Sequence, residues 1–350
     1  MKPSELAEYF NIVIENHGNV LVVGKPGIGK TEICKQSIEK FKLEHPDKTV
    51  YFAIWHPVVD DPTTFKGMPF PDEERTFTKW LPYGKIFELQ KCKADYIIIV
   101  VDDLGQVGEQ VQKPLMQLFL EKSIDGVDIP KHTSFISLTN DRHHAAGVAG
   151  ILSTIKSRIN FGIINLDVDT DDWIKYAIKR SLPAELIAAI KYNPGILDEF
   201  EEVKNAGKLR DMINYGNPRT IESMGLRFTE KIPAHLKLEA FSGIAGEVAA
   251  IKFLGFIELA SQLPVIDFIL KYPDTANIPD NESAMYTLCV TLAMKANENN
   301  FESIYKYAQR FSSREYQALI VKTITDKEES LINTGVFIKW TSSLSDLFTS

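Results

Sequence analysis

The sequence has few cysteines, and they form no recognisable pattern. Cys34, Cys92 and Cys289 lie far apart in a chain of 350 residues. They therefore supply neither the spacing of a zinc site nor the paired framework of a disulfide-rich protein. The histidines, including His143 and His144, have no other metal ligands at a suitable spacing, and we interpret them as solvated loop residues. These absences favour a reducing, cytoplasmic setting without a structural metal.

Long apolar runs and long basic runs are also missing. No apolar stretch approaches the roughly 20 residues of a membrane-spanning helix, and the first residues lack the apolar core of a signal peptide. The net charge of −8 at pH 7 disfavours broad electrostatic binding to nucleic acid, although a local basic patch stays open. No nucleophile stands in a pattern with histidine and an acid. We therefore expect a cytoplasmic protein with no membrane segment.

The most informative stretch that is present is a glycine-rich loop with the form G-x-x-x-x-G-K-T, the Walker A pattern. Glycines let backbone N–H groups approach phosphate oxygens, Lys30 brings a positive charge to the β- and γ-phosphates, and the Thr31 hydroxyl can ligate Mg²⁺. An apolar strand at 19–23 precedes the loop, and a helix at 32–41 directs its dipole at the anion. This flanking pattern disfavours the alternative of a glycine-rich turn with a surface lysine. The predicted ATP-binding residues are Gly24, Lys25, Pro26, Gly27, Ile28, Gly29, Lys30, Thr31 and Glu32.

A second motif consists of two acids at the end of an apolar strand. The strand covers 94–101 and is followed by Asp102 and Asp103, which is the Walker B form. A continuous apolar strand is typical of a parallel sheet buried on both faces. Its carboxyl end would place Asp102 beside the phosphate loop, where a carboxylate can hold Mg²⁺ through water. Taken alone, the two acids would equally well cap the next helix, but the upstream loop favours the metal-binding interpretation.

Strands alternate with helical segments in the first half of the chain, which predicts an α/β fold with a parallel sheet. The remaining strands are expected at 49–54, 134–138 and 161–166. From about residue 169 the pattern is helical, with helices of two to four turns that suit a bundle, including one over 330–343. The predicted domains are an α/β P-loop core at 1–168, a small helical lid at 169–232 and an all-helical domain at 233–350.

The stretch 56–85 differs from its surroundings because it is rich in proline and carries the acidic run Asp72, Glu73 and Glu74. A connection of this length between strands is usually functional or disordered. Its aromatic residues are Phe65, Phe70, Phe77 and Trp80. We hypothesise that Phe65 or Trp80 contacts a substrate, since the loop offers little core to join. The alternative is that both rings tuck under the loop.

Together these motifs resemble the AAA+ ATPases, and several stretches are similar to the MoxR-like branch of that family. The similar stretches are DDPTTFKG at 60–67, VDDLGQ at 101–106, TNDR at 139–142 with AGV at 146–148, and GNPRT at 216–220. The resemblance covers roughly residues 5–230. The helical remainder looks like the tails of some prophage-type members of this branch.

The resemblance implies roles for four polar residues. Asn140 matches sensor 1, which orients the attacking water, although an Asx turn would also explain an asparagine there. Arg158 matches the arginine finger, which reaches the nucleotide of a neighbouring subunit; pairing with a surface acid is the alternative, and Arg142 competes for the role. Asp103 stands where the family usually has glutamate as the base that polarises water. It is one methylene shorter, so slow hydrolysis is expected.

Arg219 matches sensor 2, and its local setting gives an independent reason. Asn217 is expected to cap a helix and Pro218 to be its first residue. Arg219 then lies in the first turn, where a cation opposes the helix dipole. A γ-phosphate beside the arginine would offset this unfavourable position.

The resemblance implies a cytoplasmic ATPase that uses ATP and Mg²⁺, assembles with itself into a ring, with a hexamer as the expected size, and remodels or activates a protein client. A protein with a von Willebrand A domain is the implied partner. Two alternatives remain open. One is a DNA-linked AAA+ protein, such as a clamp loader, helicase loader or restriction motor, and the other is a slow nucleotide-gated scaffold.

Overall fold

The computed structural model forms two compact units, and each is described by itself. Unit 1 comprises Met1–Asp167 and unit 2 comprises Val168–Ser350. The described residues are 1–140, 150–209, 211–228, 232–260, 263–327 and 329–348. None of the helices in these ranges is both long and apolar enough to cross a membrane.

Unit 1 contains a parallel sheet and two small hairpins. The strands are β1 (Asn19–Gly24), β2 (Val50–Trp55), β3 (Met68–Pro71), β4 (Thr78–Leu81), β5 (Tyr96–Val101), β6 (Ser123–Ile124), β7 (Val127–Asp128), β8 (Thr133–Thr139) and β9 (Ile163–Leu166). The order in the main sheet is β2-β5-β8-β1-β9, and all of its neighbouring strands run parallel. The expected strands are therefore present, with ends that differ by one or two residues.

The register of the sheet brings several strand ends to one edge. Val23 pairs with Thr139, and Val101 pairs with both Trp55 and Ser137. The phosphate loop follows β1, Asp102 follows β5 and Asn140 follows β8. These segments therefore meet at the carboxyl edge of the sheet, where α/β proteins bind their ligands.

Helices cover the sheet, whose central strands β1, β5 and β8 are buried along almost their whole length. The unit 1 helices are α1 (Pro3–Glu15), α2 (Lys30–Glu44), α3 (Pro62–Lys66), α4 (Gly84–Lys91), α5 (Glu109–Glu121) and α6 (Ser153–Lys156), with 3-10 turns at Pro57–Val59 and Leu104–Gln106. Ile97 and Ile99 join one core cluster together with Leu115 of α5. Ile98 and Val100, which point to the other face, are also buried.

The stretch 56–85 is a short helix followed by an antiparallel hairpin. Asp61 caps α3 by accepting a hydrogen bond from the Thr63 amide at 2.7 Å. Gly67 then has φ +85°, and a Cβ there would lie 2.3 Å from the Leu81 carbonyl oxygen, so only glycine fits this turn into the β3–β4 hairpin. Every residue of β3 and β4 is exposed.

The expectation that Phe65 is available to a substrate is wrong. Its side chain is completely buried in the core of unit 1, and its ring centroid lies 5.6 Å from that of Trp55. The helix α3 turns Phe65 inward, which the proline-rich composition does not reveal. Trp80 is 39% exposed on the hairpin, so it retains the accessibility that the hypothesis requires.

The described residues of unit 2 contain helices and connecting loops, and no strand. Its helices are α7 (Thr170–Lys179), α8 (Ala184–Tyr192), α9 (Phe200–Asn205), α10 (Pro218–Phe228), α11 (Ala234–Ala245), α12 (Glu247–Ala260), α13 (Ile266–Lys271), α14 (Glu282–Lys295), α15 (Phe301–Ala308), α16 (Arg314–Lys327), α17 (Glu329–Ile332), α18 (Gly335–Ser343) and α19 (Ser345–Phe348), with a 3-10 turn at Pro194–Leu197.

Two apolar clusters form the core of unit 2. One is built around Leu186 and Phe253, and the other around Leu288 and Trp340. The expected single helix over 330–343 is wrong, because α17 ends at Ile332 and Thr334 caps α18 by accepting from the Phe337 amide at 3.3 Å. The division of this part of the chain into a lid at 169–232 and a helical domain at 233–350 stays a prediction.

Candidate nucleotide-binding site

The loop between β1 and α2 has the backbone that a phosphate cradle requires. Gly27 and Gly29 have φ of +76° and +97°, which side chains with a Cβ rarely adopt. Gly29 is the N-cap of α2, which begins at Lys30. The N-terminal amides and the dipole of α2 therefore face the loop and favour an anion there.

Lys30 is buried at this loop and holds its two ends together. Its Nζ donates to the carbonyl oxygens of Gly24 at 2.9 Å and Lys25 at 3.0 Å. It also donates to the Asn140 Oδ1 atom at 2.7 Å. The structure thus brings the predicted sensor residue Asn140 into direct contact with the predicted phosphate-binding lysine, across 110 positions of sequence.

Thr31 and Asp102 form the second part of the site. The Thr31 hydroxyl donates to the Asp102 Oδ2 atom at 2.9 Å, and the Asp102 side chain is only 13% exposed. A hydroxyl and a carboxylate side by side are hard oxygen donors of the kind that Mg²⁺ prefers. The residues present therefore fit a magnesium ion, which would be held by Thr31 directly and by Asp102 directly or through water.

Asp103 follows at the same edge with an uncommon backbone. Its φ is +55°, in the left-handed region, where aspartate is one of the better-tolerated residues. The Gln106 side-chain amide donates to its Oδ1 atom at 3.3 Å. The backbone amide of Asp103 donates to the Asp102 Oδ1 atom at 3.1 Å. The two carboxylates thus stand at one turn, and the role of Asp103 as base stays a prediction.

Arg158 lies at the other end of the sheet from the phosphate loop. The Asn19 side-chain amide donates to its carbonyl oxygen at 3.3 Å, and Asn19 begins β1, whereas the loop follows the end of β1. At about 3.3 Å per residue, the length of β1 separates these two points by roughly 16 Å. The Arg158 guanidinium donates to the Thr154 carbonyl at 2.6 Å, and no acid pairs with it among the described residues.

Arg219 belongs to unit 2, and its local setting agrees with expectation. The Asn217 side chain accepts from the Thr220 amide at 3.1 Å and so caps α10, which begins at Pro218. Arg219 is exposed in the first turn. Its predicted role beside the γ-phosphate remains a prediction. Arg142, His143 and His144 lie outside the described residues.

His56 is a neighbour of the site that the sequence interpretation missed, because it treated histidines as solvated loop residues. It follows β2 directly, and its Nδ1 atom lies 4.0 Å from the Asp102 Oδ2 atom. The signal that could have found it is its place after a strand that pairs with β5. Among the residues that the structure describes, no three histidine, cysteine, aspartate or glutamate side chains form a metal-binding group.

The strand order, the loop and the two polar contacts identify an α/β P-loop NTPase core. Lys30, Thr31, Asp102 and Asn140 are the predicted residues that the fold brings together. The predicted fold class, including the helical C-terminal region, is confirmed.

Comparisons with known proteins give fold-level similarities at low identity. No family model matches the chain, and no curated protein sequence matches it. A RuvB mutant from Thermotoga maritima is 17% identical, with 77% of this chain and 76% of that chain covered and a TM-score of 0.39. Domain III of the replication initiation protein DnaA, also from Thermotoga maritima, is 16% identical, with coverage of 72% and 90% and a TM-score of 0.36. The ORC2 protein of Aeropyrum pernix, solved with ADPNP and ADP, is 12% identical, with 94% of each chain covered and a TM-score of 0.44.

Proposed function

We propose that this protein is an AAA+ ATPase that binds ATP with Mg²⁺ and hydrolyses it slowly to ADP and phosphate. The observation that carries the proposal is the contact of Lys30 with Asn140 at 2.7 Å beside the contact of Thr31 with Asp102 at 2.9 Å. One pair supplies a cation and an amide for phosphate oxygens. The other supplies oxygen ligands for a metal.

Each residue has a defined task in this proposal. Lys30 and the amides of the loop bind the β- and γ-phosphates. Asn140 orients the attacking water by donating and accepting hydrogen bonds, and Asp103 accepts its proton. Mg²⁺, when bound, neutralises charge that develops on the phosphates. The short side chain of Asp103 makes proton removal the weakest part of the arrangement.

Arg158 is proposed to act on the nucleotide of a neighbouring subunit. An arginine side chain is much shorter than the roughly 16 Å length of β1 that separates the Arg158 carbonyl from the loop of the same chain. Its guanidinium has no acidic partner among the described residues. Action between subunits requires an oligomer, for which we propose a ring, with Arg219 completing the site from unit 2.

The proposed client is a protein, and the β3–β4 hairpin is its proposed contact. Phe70, Phe77 and Trp80 are between 39% and 58% exposed there. Exposed aromatic side chains on a projecting hairpin suit transient contact with unfolded or loosely packed chain. The von Willebrand A domain partner remains part of the proposal through the MoxR-like resemblance alone.

A mixing experiment tests the proposed enzyme and its assembly together. Lys30→Met should lose its own site but keep Arg158, whereas Arg158→Ala should keep its site but lose the finger. We expect each variant alone to hydrolyse ATP at least about 100-fold more slowly than the natural chain, and an equal mixture to recover a substantial fraction of the rate. Lys35→Met, an exposed lysine on the same helix, is the matched control.

The outcomes separate the alternatives. Full activity of Arg158→Ala alone, or a mixture that recovers no activity, would contradict the proposed role of Arg158. A rate that DNA stimulates and that falls steeply with salt would favour the DNA-linked alternative. Negligible turnover of the natural chain at every concentration, with tight ATP binding, would favour the nucleotide-gated scaffold.

A further inference from the structure

Unit 2 contains a cleft that lies outside the nucleotide-binding site. Its volume is about 720 Å³, within the range of roughly 300–1,000 Å³ that is usual for ligand pockets. Helices α8, α14, α16, α18 and α19 line it. Its lining mixes aromatic and acidic side chains, which is unusual for a gap between packed helices, since such gaps are normally filled by apolar residues.

Three tyrosines form an aromatic wall in this cleft. The ring centroids of Tyr192 and Tyr286 are 5.5 Å apart at an interplanar angle of 74°. Those of Tyr286 and Tyr316 are 5.9 Å apart at 87°. In such edge-to-face arrangements the faces of the rings carry the negative side of the aromatic quadrupole. Tyrosine faces of this kind attract cations.

Two glutamates add full negative charges to the same end of the cleft. Glu282 and Glu315 both line it and are exposed. Their charges act on the tyrosines: burial raises the pKa of the Tyr286 hydroxyl, and the charges of Glu315 and Glu282 raise it further. Neither glutamate forms an ion pair within the described residues. Carboxylates and aromatic rings therefore face one space without a cation of the chain between them.

Two cations near this end of the cleft, Arg314 and Lys322, are paired with other acids. Arg314 precedes Glu315, but its guanidinium binds Asp346 through contacts of 2.7 and 3.0 Å. Lys322, which also lines the cleft, binds both oxygens of Asp171 at 2.9 and 3.0 Å. Neither Arg314 nor Lys322 therefore neutralises Glu282 or Glu315.

The opposite end of the cleft is electrically balanced. Asp326 lies there, and burial raises the pKa of its carboxyl while the charges of Lys175, Lys191 and Lys322 act in the opposite direction. The Lys191 Nζ atom donates to the Thr323 hydroxyl at 2.7 Å. The surplus negative charge is therefore confined to the end that the tyrosines line.

We propose that this cleft binds an arginine side chain from a protein segment, with the guanidinium between the tyrosine rings and Glu282 and Glu315. Guanidinium combines a flat face that stacks on aromatic rings with a fork of donors that pairs with carboxylates. The volume exceeds that of one side chain, so it accommodates the flanking backbone of the segment. The interaction is independent of ATP hydrolysis and gives unit 2 a partner site of its own.

Blocked tripeptides test the proposal on the full chain. The probe is acetyl-Gly-Arg-Gly-amide, measured by calorimetry and by shifts of tyrosine ring resonances. Its comparisons are the same peptide with citrulline, which has the shape of arginine without the charge, the peptide with lysine, and tetramethylammonium chloride. We expect saturable binding of the arginine peptide with a Kd of about 1 mM or lower, and at least about tenfold weaker binding of the citrulline peptide.

Two variants locate the binding. Glu282→Gln with Glu315→Gln should weaken binding of the arginine peptide at least about tenfold, and Tyr286→Leu should weaken it several-fold. Glu298→Gln removes one carboxylate at an exposed position outside the lining and should leave the Kd unchanged. Circular dichroism and the midpoint of thermal unfolding verify that each variant is folded.

Three results would overturn the proposal. One is the absence of saturable binding by any arginine peptide at concentrations up to about 10 mM. Another is equal affinity for the arginine and citrulline peptides, which would mean that charge plays no part. The third is tighter binding of tetramethylammonium than of the arginine peptide, which would assign the cleft to small organic cations. Since ATP turnover is not part of the readout, a failed ATPase proposal would leave this test intact.

Discussion

The two edges of the parallel sheet each hold a buried lysine that donates to an asparagine side chain at 2.7 Å. At the carboxyl edge the pair is Lys30 and Asn140, and at the amino edge it is Lys122 and Asn19. Both lysines are 8% exposed. The same hydrogen bond thus occurs in two settings, which shows that the bond alone does not identify a functional lysine.

The surroundings of the two pairs differ. Lys30 stands at a loop with two glycines of positive φ and beside Thr31 and Asp102, the proposed magnesium ligands. Lys122 lies over the Phe135 ring, 4.4 Å from its centroid, and burial lowers the pKa of its ammonium group to about 7. The first lysine lies at the proposed phosphate site, whereas the second is buried against an aromatic ring. We therefore assign chemistry to one edge and structural stability to the other.

The largest expected difference between the edges is in turnover. Lys30→Met should reduce the rate of ATP hydrolysis by about 10³-fold, because a cation at the phosphates is lost. Lys122→Met should change the rate less than about threefold in protein that remains folded. Steady-state phosphate release with saturating ATP and Mg²⁺ measures both. Equal losses in the two variants would remove the distinction between the edges.

For stability the order of the two edges is reversed, because replacing Asn19 at the amino edge should cost more than replacing Asn140 at the carboxyl edge. Asn19 is 4% exposed, and its side chain also donates to the Phe119 carbonyl at 2.7 Å and to the Arg158 carbonyl at 3.3 Å. Asn19→Ala leaves buried groups unpaired and should lower the free energy of unfolding by about 2–4 kcal/mol. Asn140→Ala should lower it by less than about 1 kcal/mol while slowing turnover. Urea denaturation followed by circular dichroism compares them, and a larger loss in Asn140→Ala would contradict the assignment.

Lys122 should also leave a signature in the dependence of stability on pH. Its pKa of about 7 in the folded state is below the usual value of 10.5, so between these values the unfolded chain binds more protons. The free energy of unfolding should therefore rise with pH above about 7, by up to about 1.4 kcal/mol per pH unit from this group. Denaturation at about pH 7.5 and about pH 9.5 should show a smaller rise in Lys122→Met than in the natural chain. Lys191, whose pKa burial lowers to about 8, contributes equally to both proteins.

If the two proteins show the same rise, Lys122 is charged in the folded protein throughout this range. The amino edge would then be as polar as the carboxyl edge, and the comparison would lose its physical basis. The measurement therefore tests whether burial at the amino edge keeps Lys122 uncharged.

The smallest expected effect concerns the base at the carboxyl edge. Asp103→Glu adds one methylene and should raise turnover by a few-fold to about tenfold, since the carboxylate comes closer to the attacking water. The left-handed backbone of Asp103 suits aspartate better than glutamate, so a small loss of stability should accompany the gain. Unchanged or slower turnover would show that reach does not limit the reaction.

The sequence was sufficient for the main sheet and for its carboxyl edge. A phosphate loop depends on residue types at fixed local spacing, and buried parallel strands are continuous apolar runs. The positions of Lys30, Thr31 and Asp102 followed from these two local signals. Asn140 was expected at the site as sensor 1 through the AAA+ resemblance, and its contact with Lys30 was not predicted.

Features that depend on distant or subtle contacts were not predicted. Phe65 looked exposed because its burial depends on the turn at Gly67 and on Trp55. The contact of Lys122 with Asn19 joins residues that are 103 positions apart, and no motif marks it. The small β6–β7 hairpin was missed although the turn at Asp125 and Gly126, both with positive φ, is a recognisable signal.

The most direct test of the central claim is the binding of ATP by the full chain with and without Mg²⁺, measured by calorimetry. The natural chain and Lys35→Met should bind one ATP per chain, more tightly with Mg²⁺ present. Lys30→Met should bind at least about tenfold more weakly, and Asp102→Asn should lose most of the effect of Mg²⁺. A natural chain that does not bind ATP, or a Lys30→Met variant that binds it equally well, would contradict the assignment of the carboxyl edge as a nucleotide site.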